Sequence, residues 1–124
     1  MPTREFWLHD HIISTEWTDR LTADELDACF HALKSMLETA VYPTHILFNL
    51  REAGTVPAQA PIFAIRSKFL EMPALGKVVV VSNDVIAQIL AKTASSVTRH
   101  DILFFPLYEV ALNYLQSVHL GIDQ

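Results

Sequence analysis

The side chains in this sequence that most often bind metals or act as nucleophiles are six histidines and one cysteine. His9 and His11 are two residues apart, so on a continuous strand both would project to the same face and could share a metal ion. However, a turn is predicted at Asp10, and no third ligand follows at a recognisable spacing. We therefore interpret the two histidines as turn residues and predict no metal site.

The only cysteine, Cys29, cannot form an internal disulfide. Its position in a predicted helix favours a structural thiol over a reactive one. The three glycines are too far apart for a Gly-rich phosphate loop, and Ser95–Ser96 beside Arg99–His100 lacks the context of a nucleophile elbow. Because neither a nucleophile nor an acid/base pair is found, we predict that the chain is not an enzyme and uses no cofactor.

Polar side chains gather where two predicted strands end. Open α/β sheets bind ligands at the carboxyl edge of their parallel strands, so we predict a ligand or partner surface there. Ordinary loop polarity and helix capping are the structural alternatives for each residue of this surface. Its members are Asn49, Arg51, Glu52, Thr55, Asn83 and Asp84.

The predicted element order is ββαβαβαβα, in a single domain over residues 1–124. Consecutive apolar residues in the third and fourth strands, including four valines at 78–81, predict burial on both sheet faces. Strand–helix–strand units of this length form right-handed crossovers, so we expect a mixed, mostly parallel sheet of about five strands with an N-terminal β-hairpin. The predicted strands are Glu5–Leu8, Ile12–Trp17, Thr44–Leu50, Lys77–Val81 and Ile102–Phe105.

Four helices are predicted between and after these strands. Thr22 and Glu25 form a capping box before an apolar stripe that runs from Leu26 to Val41. A shorter helix is predicted over Ala58–Leu70, with Pro61 in its first turn. The third covers about Asp84–Ser95, with Ser82 or Asn83 as its cap, and the last begins at Pro106 and packs Leu107 and Val110 against the sheet.

Composition limits the partners of such a domain. The net charge of −5 repels phosphate backbones, so we predict no nucleic-acid partner. No apolar run approaches the ~20 residues that span a bilayer, and the N-terminus lacks the layout of a signal peptide, so we expect a cytoplasmic protein without membrane insertion. Mean hydropathy is +0.25, an apolar surplus that a homodimer would cover.

The element order resembles the STAS fold, and especially the small bacterial proteins called SpoIIAA-like. The resemblance spans nearly the whole chain but involves mostly core and capping positions, so it implies fold more than function. The segments that carry it are Trp17, Leu21–Leu26, His45–Arg51, Lys77–Ser82, Phe104–Phe105 and Glu109–Leu115.

In phospho-regulated members of that family, an aspartate and an adjacent serine stand where the central strand passes into the next helix. This sequence departs from the pattern, with Asn49 at the strand end and Thr55 as the nearest downstream hydroxyl. Thr55 is therefore a weak phosphosite candidate, and a loop threonine is the alternative. The resemblance implies a non-catalytic interaction or regulatory module whose protein partner is unknown.

The alternative function is a carrier or sensor of a small apolar or anionic ligand bound between a helix and the sheet. Phe63, Phe69 and Met72 are the predicted lining of such a pocket, and core packing is their structural alternative.

Overall fold

The computed structural model describes residues 3–120 of the chain, and for residues 119 and 120 it describes the backbone alone. The ends of the predicted 1–124 domain, residues 1–2 and 121–124, lie outside the described residues. The limits of the domain therefore stay a prediction.

Five strands and four helices follow one another in the predicted order, with a short 3-10 helix added at Phe69–Glu71. Their bounds are β1 Thr3–His9, β2 Ile12–Asp19, α1 Ala23–Glu38, β3 Thr44–Ala53, α2 Ala60–Ser67, β4 Leu75–Val81, α3 Val85–Thr98, β5 Ile102–Phe105 and α4 Tyr108–Leu120.

The strands form one five-stranded sheet in the order β1-β2-β3-β4-β5. β1 and β2 pair antiparallel as a hairpin, and the remaining neighbours pair parallel. One row of the register runs from Ile13 through Ile46 and Val78 to Ile102. The predicted mixed, mostly parallel sheet with an N-terminal hairpin is confirmed.

Each face of the sheet carries its own apolar core. Successive strand residues point to opposite faces, so Ile46 packs in a cluster with α1, α2 and α3, whereas Leu47 packs in a second cluster with α4. Both side chains are fully buried, at 0% exposure. Within residues 3–120, α4 therefore covers the second face of the sheet, whereas α1, α2 and α3 cover the first.

The start of α1 shows how the sequence determines a boundary. The Thr22 hydroxyl accepts a hydrogen bond from the Glu25 amide (3.2 Å), and the Glu25 carboxylate accepts one from the Thr22 amide (2.8 Å). This is the predicted capping box, which satisfies amides that the first helical turn leaves without partners.

Three apolar residues that were predicted to pack in the core are exposed. α1 ends at Glu38, so Val41 falls beyond the helix and is 71% exposed. α4 begins at Tyr108, two residues after the predicted start at Pro106, which leaves Leu107 in the preceding bend and exposed. Val110 is also exposed, because the buried line of α4 passes through the neighbouring Ala111.

A close contact surrounds His45 near the amino ends of β3 and β4. The His45 ring is buried, and its Nδ1 accepts a hydrogen bond from the Lys77 amide at 2.8 Å. A Cβ atom on Gly76 would stand 2.6 Å from this Nδ1 and 3.0 Å from Cβ of Pro43. Glycine is therefore required at position 76 by the room that the ring occupies.

Candidate functional site

The candidate site lies at the carboxyl edge of the parallel strands. Two backbone hydrogen bonds join neighbouring chain segments along this edge: the Gly54 amide donates to the Asp19 carbonyl (3.0 Å), and the Ser82 amide donates to the Phe105 carbonyl (3.2 Å). Asn49, Arg51 and Glu52 lie in the last five residues of β3, whereas Thr55, Asn83 and Asp84 lie in the loops after β3 and β4. Because Asn49 pairs with Val81, the ends of these two strands are neighbours, and the six residues share one rim. Within this rim, they divide into groups with different roles.

Asn49 and Arg51 form the most ordered group. They are two residues apart on β3 and therefore project to the same face of the sheet. The buried Asn49 Oδ1 accepts hydrogen bonds from both the Arg51 amide (3.2 Å) and the Arg51 Nε–H (3.0 Å). This pair of bonds fixes the base of the exposed arginine side chain.

The other contact of Arg51 is with Tyr108, in the first turn of α4. The Arg51 Cζ lies over the tyrosine ring, 4.6 Å from its centroid, within the range of a cation–π interaction. The tyrosine ring is half-buried against the apolar cluster under α4. Asn49 and Tyr108 together hold the guanidinium at the α4 side of the rim.

Asp84 belongs to the opposite side of the sheet, where it caps α3. Its Oδ1 accepts from the Ile86 amide (3.0 Å), while its own amide donates to the Ser82 hydroxyl (3.0 Å). The predicted cap, Ser82 or Asn83, is therefore wrong by one or two residues, because the aspartate side chain reaches the helix amides directly. Asn83 is exposed in the short loop before this cap.

Glu52 and Thr55 are exposed residues at the end of β3 and in the loop that follows it. Glu52 lies opposite Thr18 of β2 in the sheet register. Thr55 stands in the loop before Gln59, which is the N-cap residue of α2. A phosphosite at Thr55 stays a prediction.

Sequence reasoning missed Tyr108 as a residue of this site. The signal was present, because the strand Ile102–Phe105 was predicted correctly and Tyr108 follows it at the same edge of the sheet. The sequence did not indicate which face of the sheet α4 covers. That face depends on packing of the second apolar cluster.

An apolar cavity of about 70 Å³ lies between the sheet and the helices α1, α2 and α3 that cover its first face. Trp17, Phe69, Leu90 and Ile102 are among its lining residues, and none of the lining side chains between residues 3 and 118 is charged. Of the predicted pocket residues, Phe69 lines the cavity, whereas Phe63 and Met72 pack against the core elsewhere. Pockets for drug-sized ligands are about 300–1,000 Å³, so this cavity is several times smaller.

The chemistry available elsewhere in the described chain is limited. Residues 3–118, whose side chains are described, contain no group of three histidine, cysteine or acidic side chains that could hold a metal ion. Burial, and then the Glu5 carboxylate, raise the pKa of Cys29 to about 12. A thiol that stays protonated near neutral pH is a poor nucleophile.

Comparison with known proteins identifies relatives of this fold. A family model described as SpoIIAA-like matches residues 12–116. The structure is similar to that of the anti-sigma factor antagonist SpoIIAA in its unphosphorylated form, with a TM-score of 0.69 and 9% sequence identity, covering 92% of this chain and 97% of that chain.

An uncharacterised protein from Shewanella loihica with a SpoIIAA-like fold is similar too, with a TM-score of 0.65 and 16% identity, covering 91% of each chain. Likeness at these identities shows the fold alone. A comparison with curated protein sequences finds no match. No helix within residues 3–120 is long and apolar enough to cross a membrane.

Proposed function

Because this chain belongs to the SpoIIAA-like family, we propose that it is a non-catalytic regulatory module that acts by binding another protein. One protein of similar structure, SpoIIAA, is an anti-sigma factor antagonist. The family match and this structural relative support a role in regulation by protein binding rather than in catalysis.

The proposed partner surface is the α4 side of the carboxyl edge, centred on Arg51 and Tyr108. The observation that carries this proposal is the fixed arginine over an aromatic ring, flanked by the exposed apolar residues Leu107 and Val110. Arginine and tyrosine are enriched among the residues that dominate binding energy at protein interfaces, where they are surrounded by apolar contacts. Leu107 is 61% exposed, so its side chain is available for such a contact.

A quantitative affinity capture from the native host tests this surface. The wild-type chain is compared with Arg51→Ala and with Arg66→Ala, a matched control in which an arginine over the Phe63 ring (5.6 Å) is removed from α2. We expect the same partner with the wild type and Arg66→Ala, and a loss of about tenfold or more with Arg51→Ala, because truncation of a central interface residue costs about 2 kcal/mol or more. Equal recovery by all three proteins would refute the proposed surface.

The apolar cavity supports a second candidate function, the carriage or sensing of a small apolar ligand. Exposed isoleucines lie on two of the helices that line it, Ile62 on α2 and Ile86 and Ile89 on α3. These side chains would form an apolar entrance if the two helices moved apart to enlarge the cavity. The cavity as it stands accepts only a very small molecule.

Native mass spectrometry of protein purified from its host tests the carrier function. The comparison uses the wild type and Ala94→Leu, in which the longer side chain fills the cavity. A carrier would show a retained ligand in the wild type and none in the variant. Repeated spectra of empty wild-type protein would rule the carrier function out.

A further inference from the structure

The guanidinium of Arg51 is held in place before any partner binds. Its Nε–H donates to Asn49 Oδ1 at 3.0 Å, and its Cζ lies 4.6 Å from the centroid of the Tyr108 ring. These contacts use the Nε side and one face of the guanidinium. The two terminal nitrogens, Nη1 and Nη2, make no hydrogen bond to any residue between 3 and 118, and the side chain is exposed.

Arg51 also differs from Arg4 of β1, which likewise lies over an aromatic ring. Arg4 stands over Phe6 at 4.6 Å, and its Nη2 donates to the Glu16 carboxylate at 2.8 Å. Arg51 has the equivalent aromatic contact but forms no ion pair with any carboxylate in the described part of the chain. The charge of Arg4 is thus compensated within the protein, whereas that of Arg51 is not.

From this geometry we infer that the partner supplies a carboxylate group to Arg51, an inference that rests on the proposed function. The two Nη nitrogens of a guanidinium form a planar fork that matches the two oxygens of an aspartate or glutamate side chain. Because Asn49 and Tyr108 already restrict the arginine side chain, less conformational entropy is lost when these hydrogen bonds form.

The net charge of the chain indicates what this contact contributes. At −5, the protein as a whole repels acidic partners, so long-range attraction does not bring a carboxylate to this surface. The contact therefore acts at short range. It fixes the position of an acidic side chain within an interface whose apolar contacts come from residues such as Leu107 and Val110.

Nuclear magnetic resonance of the arginine Nε–H groups tests the inference without a partner. The ¹⁵N-labelled full chain is titrated with sodium acetate, with sodium chloride at the same ionic strength, and with sodium phosphate in a third series. We expect the shift of the Arg51 signal to report an acetate affinity at least about threefold higher than the affinity at the exposed arginines Arg20 and Arg99. Asn49→Ala should reduce this difference, because the guanidinium then keeps only its contact with the Tyr108 ring.

Two results would overturn the inference. Equal shifts in chloride and acetate would mean that Arg51 senses ionic strength alone, and a response to phosphate without one to acetate would assign the site to a different anion. Neither result bears on the capture experiment. If capture depends on Arg51 but acetate does not bind, the proposed function stands and the carboxylate inference fails. If acetate binds but no partner depends on Arg51, the proposed partner surface fails, and the inference that a partner supplies the carboxylate fails with it.

Discussion

Arg51 at the end of β3 and Tyr108 at the start of α4 are joined by a cation–π contact of 4.6 Å, which ties the central strand to the last helix. Asn49 secures the same arginine from the strand side. The contact crosses from the sheet to α4, which covers its second face. We therefore expect this contact to contribute to stability as well as to shape the proposed partner surface.

A double-mutant cycle measures this contact. With Arg51→Ala and Tyr108→Leu as the single changes, we expect a coupling free energy of about 0.5–1 kcal/mol in chemical denaturation, the range for an exposed cation–π pair. Tyr108→Phe is the matched control, because it keeps the aromatic ring and should keep most of the coupling. Additive effects of the two changes would show that the contact contributes nothing.

Gly76→Ala should destabilise the protein by about 1–3 kcal/mol, the usual cost of overpacking. The added methyl group would stand 2.6 Å from Nδ1 and 2.8 Å from Cε1 of the buried His45 ring. The same change made in a His45→Ala background should cost clearly less, since the ring that it meets is gone. An equal cost in both backgrounds, measured by thermal and chemical unfolding, would contradict this account of the glycine.

The raised pKa of Cys29 predicts that the protein loses stability in alkaline solution. Its pKa is raised from 9.0 to about 12 in the folded protein, so the folded state holds the thiol proton more tightly than the unfolded chain. The resulting stabilisation is complete below pH 9 and is lost as the pH rises towards about 12, by up to ~1.4 kcal/mol per pH unit.

The difference in unfolding free energy between the wild type and Cys29→Ala isolates this effect from other alkaline titrations. We expect the difference to be constant up to pH 9 and to decline above it. A difference that stays flat to pH 11 would mean that the thiol is not buried as the structure shows.

We expect alanine-to-leucine substitutions to affect stability differently in the two apolar cores. Ala91 lines the 70 Å³ cavity, so Ala91→Leu adds methyl groups to available space and should keep or raise stability. Ala111, at 0% exposure in the other core, does not line the cavity, and Ala111→Leu should cost about 1–3 kcal/mol. Similar losses in both variants would indicate that the cavity is closed in solution.

The sequence predicted the sheet well because its strands are buried on both faces. Consecutive β-branched valines at 78–81 favour a strand buried on both faces, and the capping box at Thr22 determines where α1 begins. Helix ends were less predictable. Val41 continues the apolar spacing of α1 but lies beyond its last turn, and that end depends on contacts that spacing does not encode.

The candidate site was predicted as a region rather than as a set of contacts. The rule that polar residues meet at the carboxyl edge placed Asn49, Arg51 and Asp84 there. It did not show that Asp84 caps α3 whereas Arg51 contacts α4, because these contacts depend on the face of the sheet to which each side chain points. The pairing with Tyr108 arises from tertiary packing alone.

Site-directed photo-crosslinking in the native host tests the central claim most directly. A photoreactive phenylalanine analogue is placed at Leu107, which is 61% exposed beside the Arg51 site, or at Ile62, which is 54% exposed on α2. The account predicts one discrete protein adduct from position 107 that disappears when Arg51→Ala is added, and no such adduct from position 62. An adduct that forms from position 62 alone, or one from position 107 that is indifferent to Arg51, would contradict it.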